Sequence, residues 1–152
     1  YMKAIFKFIS KPVSINNFYY ANKRHGIREE AKDWQFKLFQ DMATSTNKEL
    51  ITNLRDKMDP LTQGYKVSIV YAAPRSVYYT ITDKLSSKQI DLSNCEKSLI
   101  DVLFLPKYNG TYGASNLNID DKWLIELSSR KTISPDELYY TTVTIEIVNL
   151  PK

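Results

Sequence analysis

From Tyr139 to Ile147 two files of side chains alternate: Tyr139, Thr141, Val143, Ile145 and Ile147 form one, and Tyr140, Thr142, Thr144 and Glu146 the other. A period of two turns successive side chains to opposite faces of an extended strand, so this stretch belongs in a sheet with one face covered and one open. The cover is legible upstream. Ile27, Ala31, Trp34, Leu38 and Met42 follow steps of four, three, four and four, the spacing of a helix with one buried stripe, which Phe36, Phe39 and Ala43 widen. A chain that carries both patterns folds as helices layered on a sheet.

The remaining segments fill in that plan. Lys3 to Ile9 sets Ala4, Phe6 and Phe8 against Lys3, Ile5 and Lys7, which predicts an N-terminal strand stopped by Pro12 and the Asn16-Asn17 pair. Thr46 with Glu49 has the form of a capping box that starts a second helix through about Met58, ended by Asp59-Pro60 and Gly64. Tyr65 to Ala73 and Val77 to Thr82 are rich in β-branched and aromatic residues, and with Pro74-Arg75-Ser76 between them they read as a hairpin. Leu99, Ile100, Val102, Leu103 and Phe104 predict a helix buried under the sheet, and Leu105 to Ile119, with Pro106, Gly110 and Gly113, a long loop. Strands are expected at Lys122 to Thr132 and Leu138 to Val148. With 152 residues there is room for one core, so the expected fold is a single α+β domain over residues 1–152, helices packed on a mixed or antiparallel sheet.

Composition narrows the chemistry. No run approaches the roughly 18 apolar residues that cross a bilayer, and the N-terminus lacks the apolar block of a signal peptide, so an intracellular, cytoplasmic protein without a membrane partner is expected. Tyr1 ahead of Met2 reads as an addition before the natural start. Cys95 is the only cysteine and His25 the only histidine, which excludes an intrachain disulfide and a zinc cluster; any metal must be held by oxygen. The net charge of +4 fits a phosphate-rich partner, and it is concentrated at Lys23, Arg24, His25 and Arg28, with Lys84, Lys88, Lys97 and Lys107 around a second stretch that also contains acids.

That second stretch carries the chemistry. Asp91-Leu92-Ser93-Asn94-Cys95-Glu96-Lys97 leads into Ser98-Leu99-Ile100-Asp101, and past the loop comes Asn118-Ile119-Asp120-Asp121. A carboxylate before a helix, a lysine inside it and two carboxylates before a strand are the groups that place a hydrated Mg²⁺ beside a phosphodiester, since Mg²⁺ takes one or two carboxylates and completes its shell with water and phosphate oxygens. The same residues also have ordinary uses. An Asp at a helix start caps it, and Asp-Asp before a strand makes a turn.

The segment resembles the motif of the RusA Holliday junction resolvases, in which Asp-x-Asp-Asn-x-x-Lys opens a buried helix, an Asp follows within it, and an Asp-Asp pair comes later. The matching positions are Asp91, Ser93, Asn94, Lys97, Asp101 and Asp120-Asp121. Pro12, Ser14, Asn16 and Tyr19-Tyr20 resemble the family's opening Pro-x-Ser-x-Asn-x-x-Tyr pattern, so the likeness covers most of the chain, with insertions at Met42 to Gly64 and Leu105 to Asn118. The resemblance implies a homodimer, bacterial or phage-encoded, that nicks opposite strands of four-way DNA junctions during recombination or repair with Mg²⁺ or Mn²⁺. It implies Asp91 and Asp121 as metal ligands with Asp120 adjacent, and Lys97 as the cation near the cut phosphate. It also implies Asn16, Tyr19, Lys23, Arg24 and Arg28 as DNA contacts. Tyr19 and Tyr20 can stack on bases or flank the core, Tyr112 is a candidate contact in the loop, and Trp34 and Trp123 read as core.

One position departs. Ser93 stands where the family has its second aspartate, and a neutral hydroxyl is a far poorer Mg²⁺ ligand. Three readings follow: catalysis with Glu96 or Asp101 as substitute, a position altered to trap an inactive complex, or a homologue that binds junctions without cutting them. Ser93 with Glu96 also forms a capping box, in which case the position only starts the helix.

Overall fold

The computed structural model describes residues 2–17, 28–104, 117 and 119–151. Strand β1 (Lys3–Phe8) is followed by a short 3₁₀ turn at Ile15–Asn17, then helices α1 (Glu29–Met42) and α2 (Ser45–Asp56), strand β2 (Gln63–Ala73), a helical turn α3 (Arg75–Tyr78), helix α4 (Leu92–Leu103), a 3₁₀ turn at Asp121–Trp123, and strands β3 (Leu124–Ile133) and β4 (Tyr140–Asn149). The four strands form one mixed sheet in the order β1-β4-β2-β3. β4 runs antiparallel to both β1 and β2, while β3 lies parallel to β2 with Tyr65 opposite Leu124 and Ala73 opposite Ile133. The expected α+β class with a mixed sheet is what forms.

The alternation seen in the sequence sets which face is covered. Ala4, Phe6 and Phe8 of β1, Tyr65, Val67, Ile69, Tyr71 and Ala73 of β2, and Val143, Ile145 and Ile147 of β4 are all buried on one side, where they meet Trp34 and Leu38 of α1, Leu54 of α2 and Leu99, Val102 and Leu103 of α4. This is one continuous core. α1 presents Ala31, Trp34, Gln35, Leu38 and Met42 to it and carries Glu29 and Glu30 in its first turn, where the positive helix end favours them. α2 opens on Thr44, not on Thr46: the Thr44 hydroxyl accepts from Asn47 N at 3.3 Å, while Asn47 Nδ2 donates to Asp41 O at 2.7 Å. Asn47 thus ties the end of one helix to the start of the next, which places the cap two residues earlier than the capping-box pattern predicts.

The expected hairpin does not form. Both edges of β2 are occupied, by β3 and β4, so the chain after Ala73 has no strand to pair with there. Pro74 stands at the cap of α3, and Tyr79 makes only an isolated bridge to Leu85. The two C-terminal strands each start two residues late, because Asp120 and Asp136 hold turns: Asp120 Oδ1 accepts from Lys122 N at 3.0 Å and Asp136 Oδ1 from Leu138 N at 2.9 Å. Leu117 and Ile119, at the end of the expected long loop, are buried. Among the described residues no helix is long and apolar enough to cross a membrane.

Candidate functional site

Helix α4 begins as the sequence predicts, with Asp91 as its cap. The Asp91 carboxylate accepts from Asn94 N at 3.4 Å, from Asn94 Nδ2 at 2.6 Å and from Ser93 Oγ at 3.4 Å. Ser93 therefore sits inside the first turn and donates to the cap, and the Ser93–Glu96 box is not made. Glu96 instead accepts from Ser129 Oγ of β3, which pins the first turns of α4 to the edge of the sheet. The apolar stripe Leu99, Ile100, Val102 and Leu103 faces the core and holds the rest of the helix down.

Asp91 opens onto a cleft of about 560 Å³ whose walls include Lys11, Ser14, Asn16, Lys88 and Glu30. The opening Pro12–Asn16 segment and the Asp91 segment thus lie together although they are far apart in the chain. A residue the sequence gave no reason to notice joins them: Ser98, fully buried, donates its hydroxyl to Val13 O and to Cys95 O. A serine inside a helix has no signal of its own. Ser14 Oγ in turn accepts from Asn16 N at 3.2 Å and starts the 3₁₀ turn that presents Asn16 and Asn17. Lys11 and Glu30 likewise escape a reading by motif, since a lone lysine after a strand or a Glu in a first helical turn is ordinary.

The floor of this region is apolar and buried. Burial, with the Asp91 carboxylate adding to it and Lys131 opposing, pushes the Cys95 thiol up to about 11, and burial likewise raises the Tyr71 phenol, with Cys95 and Glu96 beside it. Cys95, free and 3 % exposed, packs behind Asp91 as a small apolar side chain.

The other expected ligands lie elsewhere. Asp120 and Asp121 precede β3 at the end of the sheet where β2 begins; there Gly64 packs so closely on β3 that a Cβ would meet Trp123 O at 2.8 Å and the Ile125 side chain. Asp91 belongs to the opposite end: the adjacent Gln89 accepts from Lys131 Nζ at 3.2 Å and donates to Tyr78 O at 2.6 Å, and Tyr139 shares the cleft. Lys131 and Leu124 are seven strand steps apart, so Asp91, by way of Gln89, and Asp121 lie toward opposite ends of β3. The two carboxylates, expected to share one metal, are thus held by opposite ends of the same strand. Among the described residues no group of three or more His, Cys, Asp or Glu side chains is placed to hold a metal. Asp120 is used locally, as cap and as partner of Lys122 Nζ at 3.8 Å.

Lys97 is exposed on α4, about 9 Å along the axis from Asp91 and roughly a third of a turn around from it, so it does not stand over the cleft. Asp101 is one turn further along the Lys97 face. Arg28 is half-buried at the cap position of α1. Trp34 is core, as expected, while Trp123 is only partly buried. The expected contacts Tyr19, Tyr20, Lys23, Arg24, His25 and Tyr112 lie outside the described residues. Comparison with known proteins finds no family model and no curated protein that matches the chain.

Proposed function

We propose that the chain is a branched-DNA endonuclease of the RusA type, nicking four-way junctions with Mg²⁺ or Mn²⁺. The observation that carries this reading is the shared cleft: the two segments that bear the resemblance, Pro12–Asn16 and Asp91, line it together with Lys11 and Lys88. A carboxylate flanked by lysines and side-chain amides is suited to a phosphodiester whose charge the lysines offset. Among the described residues of one protomer no three acidic side chains gather at Asp91, and Asp120 and Asp121 lie before the start of β3. The nuclease reading therefore requires acidic groups from elsewhere in an assembly.

The second reading is a protein that binds branched DNA without cutting it. It is favoured by the environment of Asp91, whose oxygens accept from Asn94 and Ser93 where the family motif has another carboxylate. A nicking assay on a synthetic four-way junction with Mg²⁺ or Mn²⁺, run beside a metal-free gel shift, separates the two. Paired nicks near the branch support the nuclease; binding with no nick under either metal selects the second reading.

A further inference from the structure

Tyr79 and Leu85 meet in an isolated bridge, and the residues between them form a tight loop. Thr80 N donates to Lys84 O at 2.7 Å, Asp83 N to Thr80 O at 3.0 Å and Lys84 N to Thr80 Oγ1 at 3.2 Å. Asp83 closes the loop with a φ of 59°, the one positive value at a non-glycine among the described residues. That conformation crowds any Cβ, and an ion pair holds it. Arg75 donates to Asp83 Oδ1 at 2.9 Å, while its guanidinium lies 4.6 Å from the centroid of the Tyr79 ring.

The loop so fixed holds Ile81 at its tip, 104 % exposed. Single apolar side chains are common on any surface, but here the apolar surface continues down the loop. Leu85 is 77 % exposed, and with Tyr78, Tyr79 and Ile133 it lines a recess of about 210 Å³. Gln89 is a wall both of that recess and of the cleft that holds Asp91, so the loop rises beside the cleft. Charge selects what meets the tip. Lys84 and Lys88 stay exposed beside it, while its one acid, Asp83, is matched by Arg75. An apolar tip among cations suits a polyanion with an apolar interior, which is base-paired DNA.

We propose that Ile81 is a wedge that enters the base stack at the branch point of a four-way junction, with Lys84 and Lys88 on the flanking phosphates. The proposal rests on the branched-DNA binding that both readings above share, and it needs neither metal nor cutting. Unstacking a step costs free energy, and costs least where continuous pairing is already broken, as it is at a branch. A tip that is rigid beforehand enters without first being ordered. The ion pair at Asp83 is then what keeps Ile81 aimed outward.

Fluorescence of 2-aminopurine, an adenine analogue that stacking quenches, reads the wedge when the label sits beside the branch of a synthetic junction in metal-free buffer. Wild type should brighten it severalfold on binding and leave the same label inside a linear duplex unchanged. Ile81→Ser should bind linear duplex as wild type does, lose the brightening, and lose roughly tenfold of the junction preference, the effect of one aliphatic side chain no longer buried. Ile81→Leu should keep both. Asp83→Ala raises the net positive charge but removes the brace, so brightening should fall with no loss of duplex affinity. Junction binding with equal brightening by wild type and Ile81→Ser, or with none by either, overturns the wedge and leaves the branched-DNA reading standing. Wild type that binds neither DNA overturns both.

Discussion

Ser93 Oγ donates to Asp91 Oδ1 at 3.4 Å, so the residue that replaces a family carboxylate is tied to the carboxylate that remains. The contact keeps Asp91 turned toward its own helix. It also leaves the start of α4 with one carboxylate, Asp91, where the resemblance implies two.

Replacing Ser93 with Asp restores that charge and removes a donor from Asp91. Because Asp is favourable in a first helical turn, the fold should lose less than about 1 kcal/mol. Metal-dependent nicking of a four-way junction should rise at least tenfold. An unchanged rate, with the protein folded, means that Ser93 does not limit the chemistry.

Asp91 has a structural role that must be separated from any chemical one. Asp91→Ala removes the cap of α4 and should cost about 0.5–2 kcal/mol in denaturant unfolding. Asp91→Asn keeps an acceptor for Asn94 N and should cost far less, yet abolish nicking. Equal loss of stability in the two variants would show that charge, not capping, holds the helix start.

Ser98 joins the two walls of the cleft. Ser98→Ala leaves the Val13 carbonyl without this donor and should cost about 1–3 kcal/mol. Junction affinity should fall more than in Leu99→Ala, which should cost about 2–5 kcal/mol by cavity formation but leaves the link in place. Gel shifts at temperatures where both variants are folded make the comparison.

Much of the fold was legible. The two-residue alternation in β1 and β4 and the helical stripe of α1 report burial directly, because each side chain's facing follows from backbone period. The hairpin after β2 was misread because sequence does not reveal that β3 and β4, which come later in the chain, take both edges of β2. The helix start at Asp91 was visible from its capping chemistry. The distance between Asp91 and Asp121 was not, since it depends on the direction in which β3 leaves its 3₁₀ turn, and a parallel β2–β3 pair carries no local mark. Ser98 was hidden for a related reason: its partner, Val13, is near only after folding.

The buried Cys95 thiol makes stability depend on alkaline pH. Its folded value of about 11 lies above the ordinary 9.0, so the folded state holds the proton more tightly and its contribution is complete below about pH 9. Stability should therefore fall as pH rises from about 9 through about 11, and Cys95→Ala should flatten that slope. Tyr65, raised to about 12 by burial, adds a fall beginning at higher pH that the variant retains. Urea midpoints measured between pH 8 and 11 read both.

The most direct test of the central claim is competition binding, without metal, between a four-way junction and a linear duplex of the same sequences. A RusA-type protein should hold the junction at least tenfold more tightly, and Asn16→Ala with Lys88→Ala should narrow the preference. Equal affinity for the two DNAs, or none for either, would contradict it.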